Sequence, residues 1–124
     1  MTEVHLAAEF SKHPAGRYKT DGPYSGELFR EKYLEPRMKD HEKIVVYLDG
    51  ARGYGSSFLE EAFGGIARKY PTDLVESLII LASRDENLVQ RIKTYIHDAR
   101  GKSNPKSKSF IRRMIDGTDG REPR

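Results

Sequence analysis

Two adjacent serines close a glycine-rich run in this chain, Gly50-Ala-Arg-Gly-Tyr-Gly55-Ser-Ser, and the acidic pair Glu60 and Glu61 follows within one helical turn. Hydroxyls in such a place have three kinds of chemistry open to them. They can help cradle a nucleotide phosphate, they can accept a phosphate themselves, or they can cap a helix. Spacing tests the first. Part of the phosphate-loop pattern G-x-x-x-x-G-K-[ST] is present, but Ser56 stands where a lysine must reach the phosphates. Phe58 takes the place of the third glycine of the dinucleotide fingerprint. Magnesium-nucleotide hydrolysis is therefore not expected here. Weaker anion binding at a helix N-terminus stays open.

Ser56 and Ser57 keep two readings. One is helix capping; the other is a regulatory hydroxyl, whose phosphate would sit on free N–H groups at the positive end of the helix dipole. Arg52 is close enough in sequence to pair with such a phosphate, or is a solvated surface group. Asp49, between a strand and Gly50, reads as a turn former. Ser57 and Glu60 fit the capping box, which leaves Glu61 as a solvated face residue. His5, His13, His41 and His97 lack metal-ligand spacing, and no serine lies in a G-x-S-x-G elbow. With no catalytic residue set, no metal site and no cofactor implied, a non-catalytic binding module is the expectation.

The elements that must position this loop follow from periodicity. Val4, Leu6, Ala8 and Phe10 alternate with polar or small neighbours and predict a half-buried strand. Arg17 to Thr20 can return as a second strand of a hairpin. Ser25 is a plausible N-cap for a helix through about Met38, with a kink or break near Glu35 because Pro36 lacks an N–H. The inner face of that helix would be Leu28, Phe29, Tyr33 and Leu34. Lys43 to Leu48 reads as a central strand, and Ser57 to Tyr70 as a helix ended by Pro71. Within it, Gly64 and Gly65 would serve a close approach to the sheet. Leu74 to Ala82 predicts another buried strand. A final helix would run from about Asp85 to Ala99, capped by Ser83 and stopped by Gly101. The order is ββαβαβα, an α/β fold with a mixed sheet covered by helices.

At 124 residues the chain fits one domain. No cysteine is present, which excludes disulfides and thiolate metal sites. The N-terminus has no secretory pattern and no apolar run could span a bilayer, so the expectation is a cytoplasmic protein with no membrane partner. The charge is uneven. Residues 1–99 carry a net of −2, and residues 100–124 a net of +5. Residues 1–100 therefore read as the domain and 101–124 as a basic, flexible C-terminal tail. In that tail Lys102, Lys106, Lys108, Arg112 and Arg113 are the candidates for nucleic-acid phosphate contacts, against a merely solvated terminus. Phe110, Ile111, Met114 and Ile115 could form one amphipathic turn.

With KIVVYLDG, GYGSS and FLEEAFGGIARKY in view, the chain resembles the STAS-like domain family of unknown function, a distant relative of sulfate-transporter and bacterial anti-sigma-factor-antagonist domains. The resemblance covers about residues 3–99. Its most specific motif is GYGSSFLEEAFGG, supported by GPYSGELFREKYLEP. It implies a STAS-like fold and a role in regulation by protein binding. In the antagonists the equivalent loop carries D-S-S-G, and a partner kinase of the histidine-kinase-like ATPase class phosphorylates its first serine. Carried over, Ser56 takes that position and Ser57 is its neighbour, while Gly55 replaces the aspartate and Phe58 the glycine. The expected contact surface is Gly53, Tyr54, Gly55, Ser56 and Ser57, with Glu60 and Glu61 on the helix that follows.

Overall fold

Ile44, Val45, Val46 and Tyr47 form the central strand β2 of a three-stranded sheet (Ile44–Tyr47). The computed structural model describes residues 1–103, with side chains through residue 99. Strand β1 (Thr2–His5) lies on one side of β2 and β3 (Ile79–Ala82) on the other. Both pairings are parallel, and Val4, Val46 and Leu81 stand in one row. The sheet is therefore parallel, not mixed.

The cause lies in the first 20 residues. β2 ends where Asp49 and Gly50 turn the chain, with Gly50 at φ +101°. Beyond His5, β1 has no partner left to bond. Residues Leu6–Phe10 instead satisfy their own backbone in a π-turn, closed by the Ser11 N–H donating to the Leu6 carbonyl at 2.9 Å. The expected return strand at Arg17 to Thr20 is absent as well. A 3-10 turn occupies Lys19–Asp21. The carbonyls of Gly16 and Arg17 accept from the Gly26 and Glu27 N–H groups, so this arm is bound to the next helix and not to β1.

Helix α1 covers residues 26–39. Its predicted cap is present: buried Ser25 accepts from the Leu28 N–H at 3.1 Å. Pro36 does not break it. The helix carries a π-turn at Arg30–Leu34, one turn earlier, where Glu35 N–H reaches back to Arg30. Helix α2 covers residues 56–69, with a π-turn at Glu60–Gly64 in its middle.

Two further corrections concern the second half. Leu74 to Leu78 is not strand. Helix α3 (Thr72–Leu78) precedes β3, because Val75 and Leu78 bury at helical spacing while Glu76 and Ser77 stay exposed. Helix α4 runs Glu86–Ser103, through Gly101. Its cap is Asp85, which accepts from Leu88 N–H at 3.1 Å, and not Ser83. The observed order is thus βαβααβα. With strands in sequential order, right-handed crossovers put α1 and α2 on the same face of the sheet, and α4 packs on α2. Phe29, Phe58, Phe63, Leu34, Met38 and Ile66 fill the core between this layer and the sheet.

Candidate functional site

The glycine-rich loop leaves the C-terminal end of β2 and enters α2. Tyr54 anchors it. Its ring packs on Phe58, and its hydroxyl donates to the Leu48 carbonyl at 2.6 Å. Burial, then the charge of Asp49, push the phenol pKa well up, so it stays a donor. Asp49 ties the loop to its neighbour: it accepts from Ser83 Oγ at 2.8 Å and from the Arg84 N–H at 3.2 Å. That is a bridge between two loops, in place of the expected turn-forming bond.

Gly53, Gly55, Ser56 and Ser57 are all exposed. Gly55 is the N-cap of α2, and neither serine side chain caps the helix. Ser56, Ser57 and Gly55 form one wall of an open cleft of about 660 Å3 whose other wall is Gly16, Arg17, Tyr18 and Asp21. This second wall was not foreseen, because it lies almost 40 residues away in a stretch whose pattern predicts a turn at Gly16, a short strand at Arg17 and Tyr18 and a loop at Asp21.

Glu60 and Glu61 differ from expectation. Neither is a capping or solvated residue; they are 7% and 8% exposed. Glu60 accepts from Arg17 and Arg68, each at 2.5 Å. Glu61 accepts from Arg17 at 3.3 Å and from the buried Arg30, which also donates to the Glu61 carbonyl and to Glu35. Lys69 completes the set with a 3.3 Å contact to Glu35. Gly64 and Gly65 make room for this network and not for the sheet. A Cβ at 64 would meet Glu60 Oε2 at 2.7 Å, and one at 65 would meet Arg30 Nη1 at 2.7 Å.

The nucleic-acid candidates Lys106, Lys108, Arg112 and Arg113, and the side chain of Lys102, lie outside the described residues. Among the described residues no cluster of three or more His, Asp or Glu could hold a metal ion. No described helix is long and apolar enough to cross a membrane.

Comparison with known protein families matches residues 25–88, just over half of the chain, to a STAS-like domain of unknown function. The chain belongs to that family. The match runs from the cap of α1 into the first turn of α4, so it takes in the whole glycine-rich loop, α2 and most of the charge network. Arg17 and the arm that carries it precede the match. No curated protein and no solved structure matches the chain.

The charge network gives this STAS-like domain an acid limit. Burial pushes the Glu60 carboxyl up, but hydrogen bonds from Arg68 and Arg17 outweigh it and hold the group below 4.5. Glu35 behaves alike, with burial opposed by Arg30 and Lys69. A carboxyl depressed in the fold stabilises above its unfolded pKa, and that stability is lost as pH falls through the folded value. Melting followed by circular dichroism should therefore give a flat Tm above about pH 6 and a steady decline below about pH 4.5. A Tm that held constant to pH 3 would contradict the assignment.

Proposed function

We propose that this STAS-like domain is a small, non-catalytic regulatory module that docks a protein partner through Gly53–Ser57. The observation that supports it most is the pair Gly53 and Gly55. A Cβ on either would meet nothing within 4 Å, and neither has a positive φ. The fold itself does not require glycine at these places. A surface stripped of side chains beside two exposed hydroxyls allows a partner's backbone to approach closely. The contact extends across the cleft to Tyr18 and Asp21. Glu60 and Glu61 support it from beneath, since their carboxylates are engaged inside the fold.

The test is capture of the partner from native lysate with tagged protein, followed by titration with the purified partner. Gly53→Val should leave the Tm within a degree or two, yet weaken binding about tenfold, or about 1.4 kcal/mol. Equal affinity would remove the loop from the interface.

A finer reading is a phosphate switch on Ser56, with Ser57 as the alternative acceptor. The family resemblance makes a histidine-kinase-like ATPase the first partner class to try. A charge on Ser56 would enter the docking surface and oppose it through repulsion and desolvation. Ser56→Asp should lower affinity by on the order of tenfold with the fold intact. A titration curve that overlays the unmodified protein would discard the switch while leaving the docking module in place.

A further inference from the structure

The two edges of the sheet are finished differently. The Thr2 N–H donates to the Lys43 carbonyl, and the Leu48 N–H to the Ala82 carbonyl. Peptide groups alternate in direction along a strand, so His5 faces outward on β1 and Leu81 faces outward on β3. On β1 that position is closed. The Glu9 carboxylate accepts from the His5 N–H at 2.9 Å, and the charged Glu3 lies two residues before it. Charge and capping of this kind keep an edge from pairing. β3 has neither. Its residues, Ile79, Ile80, Leu81 and Ala82, include no charge and no proline. Among the described residues nothing bonds the outward N–H and carbonyl of Leu81. Ile80 is 41% exposed. Along this edge runs a groove of about 310 Å3, lined by Ile79 and Leu81 of β3, Glu76 of α3 and Lys93 of α4.

We propose that β3 pairs antiparallel with β3 of a second copy of this chain, about a two-fold axis at Leu81, joining two three-stranded sheets into one. The inference is independent of the docking loop, and three observations favour a second copy as the occupant. The first is register. Leu81 can exchange both of its outward bonds only with another outward-facing residue. Ile79 cannot serve, because its N–H already donates to the Val75 carbonyl at the end of α3. Across a two-fold axis the match is therefore Leu81 with Leu81. That register sets the exposed Ile80 of each copy beside the small Ala82 of the other. The second is charge. Glu86 and Lys93 are seven residues apart on α4, two turns along one face, and neither has an ion-pair partner among the described residues. Lys93 places that face at the groove. Two α4 helices run antiparallel about the same axis bring each Glu86 toward the Lys93 of the other copy. A lone peptide strand would gain the backbone bonds and leave these charges unpaired. The third is size. A strip as long as α4, about 27 Å, and two layers deep, about 20 Å, offers on the order of 500 Å2 in each copy, the range of a reversible dimer.

Analytical ultracentrifugation of the full chain should show a monomer–dimer equilibrium with a Kd on the order of 10–100 μM. Ile80→Lys sets a charge beside Ala82 of the other copy. It should raise that Kd at least tenfold, with the Tm unchanged at concentrations where both chains are monomeric. A monomer at every concentration up to about 1 mM, or a dimer indifferent to Ile80→Lys, would overturn the proposal. Amide exchange of the unmodified chain is the second readout and needs no variant. The Leu81 amide should exchange at least tenfold more slowly in a concentrated sample than in a dilute one. Slow exchange at every dilution would show that this edge is held within one chain. Fast exchange at every concentration would show that nothing pairs with it. Either result would also overturn the proposal.

Discussion

Gly26→Ala is expected to destabilise the protein by about 3 kcal/mol, the upper end of the cost of overpacking. Ordinarily the same change in a helix gains up to about 1 kcal/mol, so the sign is diagnostic. Gly26 opens α1 where it crosses α2. A Cβ there would fall inside contact distance of the Phe58 carbonyl oxygen, and would stand 3.0 Å from Glu61 Cβ and 3.1 Å from the Ala62 nitrogen. Two of these are backbone atoms of a buried helix and cannot rotate away. The helices would have to separate, and Phe29 and Phe58 would lose their contact. In a domain of this size the Tm should drop on the order of 10–20 °C. A variant that melted at or above the parent temperature would mean that the two helices are less closely seated than described.

The second large effect belongs to Arg30. Its side chain is 7% exposed and holds Glu61 and Glu35 together. Removing one member of a buried pair leaves an uncompensated charge and costs about 3–5 kcal/mol. Arg30→Met, similar in length and uncharged, should therefore destabilise by about that amount. The companion change Glu61→Leu in the same chain should recover much of the loss, since a buried ion pair replaced by apolar groups is often neutral or better. Urea denaturation of the four chains of this cycle gives the coupling directly. A single-variant cost under about 1 kcal/mol would place the pair in the class of exposed ion pairs.

Much of this was legible from residue types alone. The run Ile44 to Tyr47, the cap Ser25 and the loop entering α2 announce themselves through local physics: β-branched burial, a hydroxyl before an amphipathic stretch, glycines between strand and helix. What stayed hidden depended on partners far along the chain. Leu6 to Phe10 alternates as a strand should, and leaves the sheet because β2 stops at Tyr47, ahead of the turn at Asp49 and Gly50. Leu74 to Leu78 is as apolar as a strand, and its helix shows only in the spacing of Val75 and Leu78 after Pro71. Ser57 and Glu60 fit a capping box perfectly in pattern. Yet a glutamate carboxylate bonds more strongly to arginine than to a backbone N–H, and Arg17 sits 43 residues away. The cleft across from Ser56 was invisible for the same reason.

The π-turns at Arg30–Leu34 and Glu60–Gly64 have a consequence for sequences of different length. A π-turn is an α-turn with one residue added, and each residue of an α-helix advances the side chains by about 100°. Deleting one residue from 60–64 would therefore restore an unbroken α-helix with Ile66 and Ala67 still facing the core, whereas the same deletion elsewhere in α2 would swing the residues beyond it by that angle. The spacing from the GYGSS loop to Ile66 can thus change by one residue at this turn and nowhere else in the helix. Chains that share this architecture should align through α2 with at most a one-residue gap, placed at 60–64.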